Sequence, residues 1–121
     1  MKDLRRRFRR KVVPALTAMV KKLKFIDETG AHLGLTRLFG RAAPGQRVVE
    51  ATPDYSGPHY TAIAALGVHG VSAPWVFEDA MNTVAFETYV EFVLCPTLQR
   101  GDIVVIDNLS AHKSARARQL I

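Results

Sequence analysis

The run Ile103-Val104-Val105-Ile106 constrains this chain more than any other segment. Consecutive β-branched side chains resist helix formation, and the lack of polar alternation is the pattern of a strand buried on both faces. Gly101-Asp102 turns into the run, which delivers Asp107-Asn108 at its C-terminal end. A sheet that includes this strand carries a carboxylate at its rim.

Three further segments read as strands. Lys24-Phe25-Ile26-Asp27-Glu28-Thr29-Gly30 is a short apolar run that meets two acids and then a turn residue. His59 to Leu66 and Val71 to Phe77 are β-prone and are joined by Gly67-Val68-His69-Gly70, which suits an antiparallel hairpin. Pro74 places the second of them on a sheet edge. Asn82 is a natural N-cap for a helix whose apolar face is Phe86, Tyr89, Val90, Val93, Leu94 and Leu98, bent or ended by Pro96. A last helix starts near Ser110. Residues 31 to 58, rich in Gly and Pro, predict loops with a short hairpin around Arg41 to Val49.

The predicted order is therefore strand, strand, strand, helix, strand, helix. A hairpin followed by a helical crossover to a parallel strand gives an α/β class with a mixed sheet flanked by helices. That order is consistent with a ribonuclease-H-like core, in which the strands ending in Asp27 and Asp107 lie side by side. At 121 residues and 48% hydrophobic composition the chain suffices for one small domain. No apolar run approaches the roughly 18 residues of a membrane span, and no signal peptide is recognisable, so the expected location is cytoplasmic without membrane contact. The single cysteine, Cys95, lies in an apolar helical pattern and reads as an inert thiol.

Charge is distributed unevenly. Residues 1 to 24 hold ten of the seventeen Lys and Arg against one acid, Asp3. Leu4, Phe8, Val12, Leu16, Met19, Val20 and Leu23 recur at helical spacing among them, and Pro14 should kink or split that helix. A basic arm on a near-neutral body suits contact with a phosphate backbone, through Arg5, Arg6, Arg7, Arg9, Arg10 and Lys11. A solvated charged helix explains the same residues equally well. Lys113, Arg116 and Arg118 add charge along the final helix on the same terms.

Two carboxylates on neighbouring strands repel each other unless a cation with oxygen preference, Mg²⁺ or Mn²⁺, lies between them. Such a pair points to phosphoryl chemistry, with Asp27 and Asp107 as metal ligands. Either aspartate taken singly is more often a turn or helix cap. A P-loop nucleotidase would also place acids after an apolar strand, but no glycine-rich loop ending in Gly-Lys-Ser or Gly-Lys-Thr is present. The four histidines are scattered, and His112 and Lys113, just after the second acid, are the ones placed to matter.

Four blocks carry a resemblance: Phe25-Ile26-Asp27-Glu28-Thr29-Gly30, Gly45-Gln46-Arg47, Tyr60-Thr61-Ala62-Ile63-Ala64-Ala65-Leu66 and Ile106-Asp107-Asn108-Leu109-Ser110-Ala111-His112-Lys113. In this order they closely resemble the DDE superfamily endonuclease domain of mariner-like bacterial insertion-sequence transposases, over about residues 24 to 121. The resemblance implies a ribonuclease-H-like fold, Mg²⁺-dependent cleavage at transposon ends and strand transfer into target DNA. It assigns the first two catalytic acids to Asp27 and Asp107. Residues 1–23 then form a basic helical linker and 24–121 the N-terminal part of the catalytic domain.

Two departures from the family pattern shape the expectation. Only the basic helix precedes the first acid, where family members carry a helix-turn-helix region that reads the inverted repeats. The family's third acid follows a proline-rich segment after one more strand, whereas Asp107 lies fourteen residues before the last residue, Ile121. The expected product is a C-terminally truncated transposase fragment, inactive alone, with double-stranded DNA as partner and a full-length transposase or second polypeptide as complement. The alternative is a nonspecific DNA-binding fragment that needs the basic arm but neither aspartate.

Overall fold

The computed structural model describes residues 2–32, 34–52 and 57–121. The basic segment forms α1 (Lys2–Arg7), a π-helical turn (Phe8–Val12), α2 (Val13–Ala18) and a 3-10 turn (Val20–Lys22). Pro14 does not split it. Its ring excludes the carbonyl four residues back, and the chain absorbs the strain one turn earlier, where the Val13 N–H donates to the Phe8 carbonyl. None of these residues is buried, so Leu4 (69% exposed) and Phe8 (49%) present an uncovered apolar stripe between the arginines.

Four strands follow: β1 (Leu23–Ala31), β2 (Tyr60–Gly67), β3 (Gly70–Glu78) and β4 (Ile103–Val105). Their order in the sheet is β3-β2-β1-β4, with β1 antiparallel to β2, β2 antiparallel to β3, and β1 parallel to β4. The β2–β3 turn is as tight as its glycines suggest: Gly67 pairs with Gly70, and Gly70 takes a φ of 109° that a side chain would oppose. Pro74 lies on the edge strand, as expected, and just after Ala73, whose φ of 49° marks a bulge opposite Ala64.

Asn82 caps α3 (Thr83–Tyr89), its side-chain oxygen accepting from the Ala85 N–H at 2.9 Å. The helix continues through a π turn (Val90–Leu94) and a 3-10 turn at Pro96 (Cys95–Thr97). It lays Phe86, Tyr89, Val90 and Leu94, all fully buried, over Ile26, Ile63, Ala65 and Ala73. That single face is the core. The last segment is a 3-10 turn (Ser110–Lys113) and then α4 (Ala115–Leu120), so the α-helix starts five residues later than the sequence suggests. Ser114 caps α4 through the Ala117 N–H and also donates to Glu87 on α3. Cys95 is half-buried; burial first and Glu91 second raise its thiol pKa, in keeping with an inert role.

Two expectations fail here. No strand pairing forms around Arg41 to Val49 among the described residues. Gln46 closes a turn onto Ala43 and Gly40 approaches Val48, but Pro44 lacks a ladder donor and the glycines favour bends over extended pairing. Residues 53 to 56 of the predicted 31–58 loop lie outside the described residues. The run Ile103 to Ile106 is half-buried, not enclosed on both faces, because β4 is an edge strand among the described residues.

Tyr89 gives this core a measurable signature. Its hydroxyl donates to the Ala73 carbonyl at 3.0 Å, and burial pushes its pKa from 10.0 up to about 12. The unfolded phenol ionises first, so this contribution to stability is full below pH 10 and fades as pH rises toward 12. Wild type should lose on the order of 2–3 kcal/mol more than Tyr89→Phe over that window, by denaturant melts. Parallel losses in both proteins would show that the phenol is not held in the core.

Candidate active site

Parallel pairing of β1 with β4, Phe25 opposite Val105, carries the two expected acids to the same end of the sheet. Asp27 sits inside β1, not at its end, and Asp107 lies two residues past β4. Side chains alternate along β1, so Ile26 and Glu28 face α3 while Phe25 and Asp27 face the uncovered side. Beside Asp27 that side holds a shallow groove of about 330 Å³ along Thr29, Ala62, Ala64, Pro74 and Val76. The small β2 side chains leave this space.

Asp107 is held more firmly. Its Oδ1 accepts from the Leu109 N–H at 2.9 Å and lies 2.7 Å from His112 Nδ1. The Leu109 hydrogen bond above all, with a smaller share from His112, holds its pKa below the usual carboxylate range. Asp107 is thus a fixed anion, yet its side chain remains 59% exposed. Asp27 accepts from the Glu28 N–H at 2.9 Å. Burial raises the Glu28 pKa, His112 opposes that, and the Asp107 and Asp27 charges raise it further. Three carboxyl groups therefore lie within Coulombic reach.

Among the described residues no group of three or more His, Cys, Asp or Glu side chains is arranged to hold a metal ion. Two exposed aspartates still suit Mg²⁺ or Mn²⁺, because such ions bind through one or two carboxylates and fill their other positions with water and phosphate oxygens. The structure sets the strands that carry Asp27 and Asp107 side by side at one end of the sheet. Arg5, Arg6, Arg7, Arg9, Arg10 and Lys11 are exposed on the helical arm, and none makes an ion pair among the described residues. Lys113 is exposed beside His112, and Arg116 pairs with Glu91 at 2.6 Å. Sequence reasoning missed Glu28 as part of this cluster. Its signal was available: strand alternation separates Glu28 from Asp27 and turns it toward the side where His112 packs.

Residues 22–121 match the model of the DDE superfamily endonucleases. The chain belongs to that family. The matched span of this DDE chain includes all four strands and both aspartates. Solved structures similar to it are the pre-cleavage Mos1 transpososome (TM-score 0.63, 18% identity, covering 98% of this chain and 37% of that one). Others are the mariner Mos1 paired-end complexes with Mg (0.61, 19%, 98% and 36%) and with Mn (0.57, 18%, 98% and 36%). At such identities the likeness is one of fold, the ribonuclease-H-like mixed sheet expected from the strand order. The DDE chain spans little more than a third of those transposase chains. No curated protein sequence matches it. No helix among its described residues is long and apolar enough to cross a membrane.

Proposed function

We propose that this chain contributes the first two acids of a transposase active site that cuts DNA at transposon ends and joins it to a target. The observation that supports this reading most is the side-by-side placement of the strands that carry Asp27 and Asp107, in a chain of the DDE family. In this reading residues 24–121 belong to the catalytic domain and residues 1–23 form a basic arm. Asp27 and Asp107 hold Mg²⁺ or Mn²⁺, the ions of the two Mos1 paired-end complexes. An ion held there would supply Lewis-acid chemistry for in-line attack by a water or 3′-hydroxyl on a DNA phosphate. The chain's own contribution is placement: Leu109 and His112 fix Asp107, and the groove beside Asp27 leaves room for a DNA strand. Two aspartates hold a metal weakly and position a second ion poorly. A third acid beside Asp27 and Asp107 would complete such a site.

The test is Mn²⁺ titration of the full chain by electron paramagnetic resonance. Asp27→Asn and Asp107→Asn should each weaken binding by roughly tenfold or more, as expected when a metal site loses charge or order. Unchanged Mn²⁺ affinity in both variants would remove the metal site.

A second reading rests on the arm. Exposed bases without ion pairs among the described residues suit nonspecific contact with duplex DNA, which needs neither aspartate. Charge reversal of Arg5 to Lys11 should then abolish DNA binding while both Asp→Asn variants keep it. The opposite pattern would place DNA binding at the aspartates.

A further inference from the structure

Among the described residues, two buried side-chain atoms lack a hydrogen-bond partner: Glu28 Oε2 and His112 Nε2. They face each other at 3.3 Å. A buried polar atom without a partner is costly, and two such atoms pointing at one another are satisfied together by a single proton on the line between them. His112 is 2% exposed, and its ring lies against Phe86 with centroids 4.3 Å apart, so the imidazole cannot turn away. Its other nitrogen, Nδ1, lies 2.7 Å from Asp107 Oδ1, a hydrogen bond when that nitrogen carries the proton. In that tautomer Asp107 Oδ1 receives two donors, Leu109 N–H and His112 Nδ1–H, and Oδ2 accepts no hydrogen bond among the described residues.

We propose that Glu28 and His112 are positioning residues, Glu28 fixing the imidazole and the imidazole fixing Asp107 so that Oδ2 is presented to the metal. The inference rests on the metal-site reading above. Both act through Asp107 rather than as ligands themselves. The relay runs from the α3 side of the sheet to its rim, and it explains why a glutamate and a histidine are enclosed beside a carboxylate that stays in water. An imidazole kept only for packing would need neither of the two carboxylates it faces. Outer partners of this kind orient a ligand and tune its affinity.

Paired substitutions in the full chain, read by Mn²⁺ titration, separate positioning from packing. His112→Leu fills the space without a donor and should weaken Mn²⁺ binding by roughly tenfold. His112→Asn places an amide N–H where Nδ1 was and should recover most of that loss. Glu28→Leu should weaken binding, and Glu28→Gln, which can still bond Nε2, should not. In an Asp107→Asn background His112→Leu should add nothing further. If Asp107→Asn weakens binding and His112→Leu, still folded by circular dichroism, binds as wild type, the positioning role is overturned and the metal site survives. If Asp107→Asn itself changes nothing, the metal-site reading falls and takes the relay with it. Equal losses in His112→Asn and His112→Leu would assign His112 to packing alone.

Discussion

Replacing Phe86 with alanine will lower the free energy of unfolding by about 3–5 kcal/mol, the range for truncating a buried phenylalanine. Phe86 is fully buried in the middle of α3, where it packs with Ile26, Ile63 and Tyr89 and backs the His112 ring. No second apolar face shares the load, because the sheet is covered on one side only among the described residues. A typical domain holds only about 5–15 kcal/mol in reserve, so this one change removes a large part of it. Urea melts should show a lower midpoint with an unchanged slope. The same cavity loosens His112, so Mn²⁺ affinity should fall in the fraction that remains folded. A loss under about 1 kcal/mol would mean that α3 does not seat Phe86 in the sheet.

The affinity of the chain for duplex DNA should fall by roughly 10³ between about 50 and about 200 mM salt. The arm between Arg5 and Lys11 carries six bases, all exposed. Each neutralised phosphate releases counterions, and about six contacts give a slope near −5 in log affinity against log salt. Backbone contact carries no sequence information, so scrambled duplexes of equal length should bind alike. Filter binding or anisotropy across a salt series measures both. A flat salt dependence would remove the arm from DNA contact, and a strong preference among duplexes would assign base reading to the chain.

Much of the fold was legible because its signals are local. Gly67 to Gly70 encode a hairpin, Asn82 a helix start, and Gly101-Asp102 before a β-branched run encodes β4; each appears where the residues place it. What failed depended on distant partners. Whether Ile103 to Ile106 is enclosed is decided by what lies beyond β4, and no local pattern states that. The Arg41 to Val49 segment has turn chemistry but lacks the apolar alternation that would hold two arms in register. The π turn at Phe8–Val12 arises from a clash one turn away at Pro14, an effect that periodicity alone does not contain. The candidate site was half legible. Asp27 and Asp107 follow from the strands that bear them, whereas the pairing of Glu28 with His112 depends on how a 3-10 turn settles on Phe86.

The β1–β4 pairing also sets an order of events. The β2–β3 hairpin closes over a two-residue turn, and β1 joins β2 across the intervening loop. Leu23 meets Ile103 only after all of residues 24–102 have been gathered between them. Contacts of such long range form late, since their closure entropy is met before any packing rewards it. During synthesis or refolding a hairpin nucleus therefore exists before Asp107 has reached Asp27. A cation site built on Asp27 and Asp107 would therefore be assembled only with the final docking of β4.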